Sequence, residues 1–323
     1  MLQTEERYIS LLTDFGFKRI FGTIPNKDLL INFLNSLFNG EQVIKDVKYL
    51  NSENVGDVYA ERKAIFDVYC ENEHGEKFIV EMQNAYQTYF KDRSLYYSTF
   101  PIREQAPKGA DWNFKLEHVY VVALLNYDMS DPAFSDQTIN HDIGLLDKHT
   151  HRVFNDKLTF KYIEIAKFNK TIEQLDSNYD KWLYVLRNLS RLDRQPKRLQ
   201  NAVFDRLFSE AEIAKFTKTE LREYENSLKA YRDIKNSLDS AEEKGRAEGL
   251  AAGRAEGLAA GRAEGLATGR AEGLAAGRAE GLAAGRAEEK TSVAKKLLAL
   301  GVPIKHIAEA TNLTIDEIEK LQH

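Results

Sequence analysis

The spacing of apolar residues changes period along the chain. Residues 5–38 read as helical: Leu11, Leu12, Phe15, Ile20 and Phe21 come first, and a break follows at residues 22–25. Asp28-Leu29-Leu30-Ile31-Asn32-Phe33-Leu34 then resumes the pattern, and Asn39-Gly40 stops it. After that the period shortens to two. Residues 43–50 predict a first strand. Residues 64–71 set Phe66, Val68 and Cys70 against Ile65, Asp67 and Tyr69. Residues 77–83 set Phe78, Val80 and Met82 against Ile79, Glu81 and Gln83. Residues 84–106 suit a helix, residues 117–126 are almost wholly apolar, as a strand buried on both faces should be, and residues 160–168 form a further strand. This order predicts an α/β sandwich with a mixed central sheet flanked by helices.

Beyond residue 171 the pattern turns helical, with Trp182, Leu183, Val185, Leu186 and Leu189 on one face. Then the unit Gly-Arg-Ala-Glu-Gly-Leu-Ala-Ala recurs from Gly245, Gly253, Gly261, Gly269 and Gly277, with one change at Thr268 and a truncated copy at Gly285. Eight residues advance about 80° beyond two helical turns, so Leu250, Leu258, Leu266, Leu274 and Leu282 spiral instead of forming a coiled-coil stripe. One glycine in four weakens a helix by about 1 kcal/mol each relative to alanine. Arg and Glu never fall four apart within the repeat, so a weakly helical or flexible spacer is expected. In the tail, Gly301, Pro303 and Thr314 punctuate three short helices at 292–299, 303–310 and 314–321. The predicted organisation is a domain at 1–170, a helical extension at 171–240, the repeat at 241–290 and a trihelical unit at 291–323.

Composition sharpens this division. The chain has 323 residues, 43% of them hydrophobic, and 11 of its 19 glycines lie in the repeat, so core-forming material is N-terminal. The net charge of −5 falls within residues 1–244, because the repeat and the tail are each neutral. That argues against a protein that coats nucleic acid, but not against a nuclease with a local carboxylate site. One cysteine, Cys70, rules out an intramolecular disulfide. With no signal-like start and no apolar run near the ~20 residues of a membrane span, a cytoplasmic protein without membrane contact is expected.

The two alternating strands carry the candidate chemistry. If they form a hairpin, residues that face each other share a side of the sheet, so their numbers sum to an even value. A two-residue His74-Gly75 turn breaks that rule. A three-residue loop, Glu73-His74-Gly75 with Gly75 left-handed, satisfies it, and pairs Asn72 with Glu76 and Asp67 with Glu81 on the side away from the core. Adjacent carboxylates repel unless a cation lies between them, and oxygen donors suit Mg²⁺ or Mn²⁺. Gln83, two residues beyond Glu81, offers an amide to orient a water but no charge.

Thr13-Asp14-Phe15-Gly16-Phe17-Lys18-Arg19-Ile20-Phe21-Gly22, Leu34-Asn35, Ile65-Phe66-Asp67-Val68, Val80-Glu81-Met82-Gln83 and Arg93-Ser94-Leu95-Tyr96-Tyr97 follow one another at sensible gaps. Together they resemble the Rpn family of recombination-promoting nucleases and transposases, a branch of the PD-(D/E)XK superfamily. The likeness is good over about residues 8–130 and looser beyond. It implies a restriction-endonuclease-like core and metal-dependent hydrolysis of DNA phosphodiesters, linked to recombination or mobile DNA. Asp67 matches the motif's aspartate and Glu81 its second acid. Gln83 stands where the name motif has lysine, and Phe66 where it has proline. The resemblance makes Asp67, Glu81 and the Met82 carbonyl the ligands of Mg²⁺ or Mn²⁺, and Asp67, Glu81 and Gln83 the catalytic trio. Asp14 and Lys18, four apart on the first helix, are placed either at the site and DNA backbone or in an intrahelical ion pair, and Arg93 either on the DNA backbone or on a solvated face. Tyr96 and Tyr97 read as packing residues.

A rival reading is a non-catalytic module that holds DNA or a protein on a degenerate nuclease fold, motivated by Gln83 and the acidic charge. The C-terminal helical region also offers a surface for self-association. His141, His149 and His151 lack metal-ligand spacing, and Cys70 falls on the core face.

Overall fold

In the computed structural model, residues 6–54, 64–106, 112–129, 131 and 137–322 are described. Helix α1 (Asp14–Phe21) begins where the Thr13 hydroxyl accepts the Gly16 N–H, and ends at Gly22. Helix α2 (Lys27–Phe38) ends on Asn39 in the left-handed conformation, with the Asn39 N–H donating to the Asn35 carbonyl. Gly16 tolerates no side chain: a Cβ there would lie 2.1 Å from the Ser10 carbonyl oxygen. Gly16→Ala is therefore expected to displace the start of α1 and lower stability by about 1–3 kcal/mol or more. Thermal unfolding checks this, and an unchanged midpoint would refute it.

Eight strands are described: β1 (Val47–Tyr49), β2 (Glu53–Asn54), β3 (Ala64–Ile65), β4 (Val68–Asn72), β5 (Lys77–Gln83), β6 (Val119–Leu125), β7 (Asn140–Leu146) and β8 (Val153–Glu164). Six form one sheet in the order β1-β4-β5-β6-β8-β7, and β2 and β3 pair separately. β5, β6 and β8 run parallel, and the other pairs in the large sheet are antiparallel, so the sheet is mixed as expected. The β4–β5 register follows the parity rule: Val68 pairs with Val80 and Glu71 with Lys77. At the loop, the Asn72 N–H donates to the Glu76 carbonyl at 3.0 Å and the Gly75 N–H to the Asn72 carbonyl at 3.1 Å. Gly75 has φ +81°, the conformation a three-residue hairpin loop requires there.

Both faces of the sheet are covered. On one, α1, α2, helix α4 (Asn178–Asn188), helix α5 (Ala202–Glu210) and the start of helix α6 (Lys218–Ala299) pack on Val68, Cys70, Phe78, Val80, Met82, Val122 and Leu124. Trp182 meets Phe21, Phe33 and Phe204 at 5.0–5.6 Å between ring centroids. On the other, helix α3 (Phe90–Glu104) sets Phe90 and Phe100 against Tyr69, Ile79, Val121, Ala123, Phe160 and Tyr162.

Several details depart from the pattern. The face of Glu81 is not left to solvent, since α3 covers it. Residues 64–71 are not one strand: β3 and β4 are separated at Phe66 and Asp67, and this break shifts the alternation. Phe66 accordingly packs with Tyr69 and Ile79, opposite Val68 and Cys70. β1 is shorter than 43–50, α3 starts at Phe90 and not at 84, and β8 covers Val153–Glu164 before a single 3-10 turn. β7 has no counterpart in the apolar pattern because it is an edge strand with mostly exposed residues.

The chain divides into two compact units, Met1–Ala241 and Glu242–His323. Within α6 the repeat is an unbroken helix. Six residues in each eight-residue unit are good helix formers and none is proline, which outweighs the two glycines once the helix is nucleated. The five repeat leucines are 60–61% exposed, as expected of a spiral. In the second unit Ala294, Ile307 and Ile318 form a small core with helices α7 (Ile304–Thr311) and α8 (Ile315–Glu319). Thr314 and Glu317 cap α8 reciprocally. Among the described residues, no helix is long and apolar enough to cross a membrane.

Candidate active site

The break between β3 and β4 builds the site. If the β4–β5 ladder continued, Phe66 and Met82 would exchange main-chain hydrogen bonds. Instead the Phe66 N–H donates to the Ser52 carbonyl at 3.0 Å, and the Met82 N–H donates to Asp67 Oδ2 at 2.9 Å. The Asp67 carboxylate thus occupies the edge of β5 where a strand would have continued. In an extended strand a residue's carbonyl points the same way as its N–H, so the Met82 carbonyl is directed at this edge too.

Glu81 lies one residue earlier on β5, on the α3 side with Gln83. It is buried, and its Oε1 has no hydrogen-bond partner among the described residues. Its Oε2 accepts the Gln83 Nε2–H at 3.1 Å and lies 4.0 Å from the Arg93 guanidinium. Arg93, from the first turn of α3, also donates to Gln83 Oε1 at 2.7 Å. Gln83 therefore links the cation to the acid, with both ends of its amide engaged. From α1, the Lys18 ammonium stands 2.7 Å from Asp14 and 4.0 Å from Asp67. The two alternatives for Asp14 and Lys18 hold together: they form an intrahelical ion pair, and that pair borders the acids.

Burial pushes the Glu81 carboxyl up to about 8 from an ordinary 4.5, and the negative charge of Asp67 adds to this, while Arg93 and the Gln83 amide oppose it. Burial also raises Asp67, against the Met82 N–H and Lys18, which favour its charged form. Two acids are thus held together at a strand end, with a cation from each flanking helix. No group of three or more His, Cys, Asp or Glu side chains poised for a metal occurs among the described residues. The oxygen donors present are two carboxylates and one main-chain carbonyl. The unpartnered Glu81 oxygen and the raised affinity of Glu81 for a proton both fit a site completed by a hard cation.

Some positioning groups had no signal in the sequence. The Phe15 N–H donates to the Ser227 hydroxyl and the Ser10 N–H to the Tyr224 hydroxyl, each at 3.0 Å, so α6 anchors the start of α1 across more than 200 residues. Asn84 donates to the Leu12 carbonyl at 2.6 Å and ties the end of β5 to the same segment. The other candidates are structural. Cys70 is buried and its thiol is pushed up to about 12 by burial. His141 is buried against Glu164 at 2.7 Å, and Tyr97 packs on Phe66 with centroids 5.3 Å apart.

The model of one protein family, described as PD-(D/E)XK nuclease family transposase, matches residues 11–241. No curated protein and no solved structure matches the chain.

Proposed function

Since the chain belongs to the PD-(D/E)XK nuclease family transposases, we propose that it is a divalent-metal-dependent DNA endonuclease acting at Asp67 and Glu81, linked to recombination or mobile DNA. Nuclease chemistry on DNA is the family's class, and divalent metals are its usual cofactors. The observation that carries the reading is the buried Glu81 carboxyl beside Asp67, with one oxygen unpartnered among the described residues and its proton held to about pH 8.

Asp67, Glu81 and the Met82 carbonyl would hold Mg²⁺ or Mn²⁺. Such a cation, when bound, supplies polarisation of a phosphoryl oxygen and a more acidic attacking water. The protein's own groups do the rest. The Met82 N–H fixes the Asp67 carboxylate. Gln83 orients Glu81 through one amide hydrogen and is itself fixed by Arg93. Lys18 and Arg93 bring positive charge to the place where DNA phosphates would meet the acids, and Asp14 holds the Lys18 ammonium in place.

Arg93 also bears on the missing lysine of the motif. Residue 83 is glutamine, yet a guanidinium from α3 lies against it and within 4.0 Å of Glu81. Arg93 then supplies the charge that a lysine at position 83 would carry. Arg93→Ala is expected to lower kcat by roughly 10²-fold, the scale of one lost preorganised charge contact, with partial recovery in Arg93→Lys. Equal kcat in all three proteins would refute this role.

The test of the function is incubation of the purified full chain with supercoiled plasmid in Mg²⁺, Mn²⁺ or EDTA. Nicked and linear products only with metal are expected. DNA binding without cleavage in any metal would overturn the proposal in favour of a non-catalytic binding module.

A further inference from the structure

Beside the acid pair the surface opens into a cavity of about 580 Å³ lined by Gln87, Thr88, Tyr89, Asp92, Arg93 and Tyr96. Tyr89, Asp92, Arg93 and Tyr96 follow a spacing of three, four and seven residues, which places them on one face of α3 and its N-terminal cap. Arg93 belongs both to this cavity and to the site, since the same guanidinium bonds Gln83. The two tyrosines are unusually open, Tyr89 at 74% and Tyr96 at 43%. Tyr96 is braced edge-on against Phe100 at 5.2 Å, so its ring is a fixed platform. The rings lie two helical turns apart, about 10 Å along the axis. Solvent exposure of aromatic rings next to a strongly charged centre has no use in packing the core.

We propose that this face is a stacking site for an unpaired base, which makes single-stranded or locally opened DNA the substrate class. The inference rests on the nuclease reading above. Aromatic faces bind any base, and arginine adds a cation–π contribution. Asp92 within the cavity repels a phosphate but accepts a hydrogen bond from an exocyclic amino group, so a base and not the backbone enters here. The bases of an intact duplex present only their edges, and their faces become available when a strand is open. A strand whose base stacks on Tyr89 or Tyr96 passes Arg93, and its phosphate then reaches the Asp67–Glu81 edge.

The test uses a single-stranded oligonucleotide carrying 2-aminopurine, titrated with the full chain in Ca²⁺ and in EDTA. A change in 2-aminopurine fluorescence is expected with the natural protein and with the Tyr89→Phe, Tyr96→Phe double variant. The Tyr89→Ala, Tyr96→Ala double variant should bind roughly 5- to 150-fold more weakly and give no such change. Thermal unfolding of each variant confirms that it is folded. Equal binding by the alanine variant, or equal competition by a blunt duplex of the same sequence, would overturn the proposal. Plasmid cleavage without a fluorescence change would sink this site alone, whereas a fluorescence change without cleavage in any metal would sink the nuclease reading and leave the base site standing.

Discussion

Asp67→Ala and Glu81→Ala should each reduce metal-dependent plasmid cleavage by roughly 10²–10³-fold or more, the scale seen when one charge-stabilising group is taken from a preorganised site. The two variants lose different things. Asp67→Ala removes the acceptor of the Met82 N–H and the acid that Lys18 faces, so the end of β5 loses its fastening as well as a donor oxygen. Glu81→Ala removes a buried carboxyl that has one oxygen unpartnered among the described residues, so it relieves a local desolvation cost while taking away the second acid. Their stabilities are therefore expected to move in opposite directions near neutral to alkaline pH, although both lose activity. That split separates a catalytic loss from simple unfolding. Cleavage equal to that of the natural chain in both variants would remove the pair from the chemistry altogether.

A second large effect concerns pH. Glu81 holds its proton to about 8 in the folded chain, against an ordinary 4.5. A folded-state value above the unfolded one means that the folded state binds the proton more tightly. The associated stability is fully present below about 4.5, declines as pH rises towards about 8, and stays lost above that. Glu81→Gln keeps the shape and abolishes the titration. Without metal, the variant should thus gain on the natural chain by a few kcal/mol between pH ~4 and pH ~9. Mg²⁺ should narrow this gap, because a ligand that binds only the folded state stabilises it by about 2.7 kcal/mol at a hundredfold excess over Kd. The cation competes with the Glu81 proton, so apparent Mg²⁺ affinity should climb with pH until about 8 and then level off. Thermal unfolding of both proteins across this range, with Mg²⁺ or EDTA, gives the answer. Parallel curves for the two proteins would mean that Glu81 does not carry the titration.

Below about pH 8 the Glu81 proton lets these acids stand together, and Arg93 and Lys18 favour the ionised pair above it. Each stands 4.0 Å from one carboxylate, close enough to favour its ionised form but not bonded to it directly. A bidentate pairing of Arg93 with Glu81 would have neutralised the acid and filled its free oxygen. Routing the guanidinium through Gln83 leaves that oxygen open. The glutamine in the lysine position is thereby part of the arrangement, not a defect in it.

What the sequence determined is local. The alternation in residues 68–83 and the glycine at 75 set the hairpin register, because side-chain period and a left-handed loop residue permit only one pairing. The eight-residue period fixed the leucine spiral, and Thr314 with Glu317 fixed the start of α8, since both depend on bonds within a few residues. The order of helices and strands, with a near-continuous apolar run at β6, sufficed for a mixed sheet between helices. Tertiary structure decided the rest. Only packing shows that the strand breaks at Asp67, because the competing partner for Phe66 is Ser52, just ahead of β2. Only packing places α3 over Glu81 and delivers Arg93 to Gln83, and α6, more than 200 residues away, joins Asn84 in anchoring the turn that leads into the Lys18 helix. Strand period records which side of a sheet a residue takes, but not what covers that side. The register that brings Asp67 close to Glu81 was therefore legible in the chain, while the break that turns Asp67 onto the Met82 N–H, the burial that raises Glu81 and the cations that flank the acids were not.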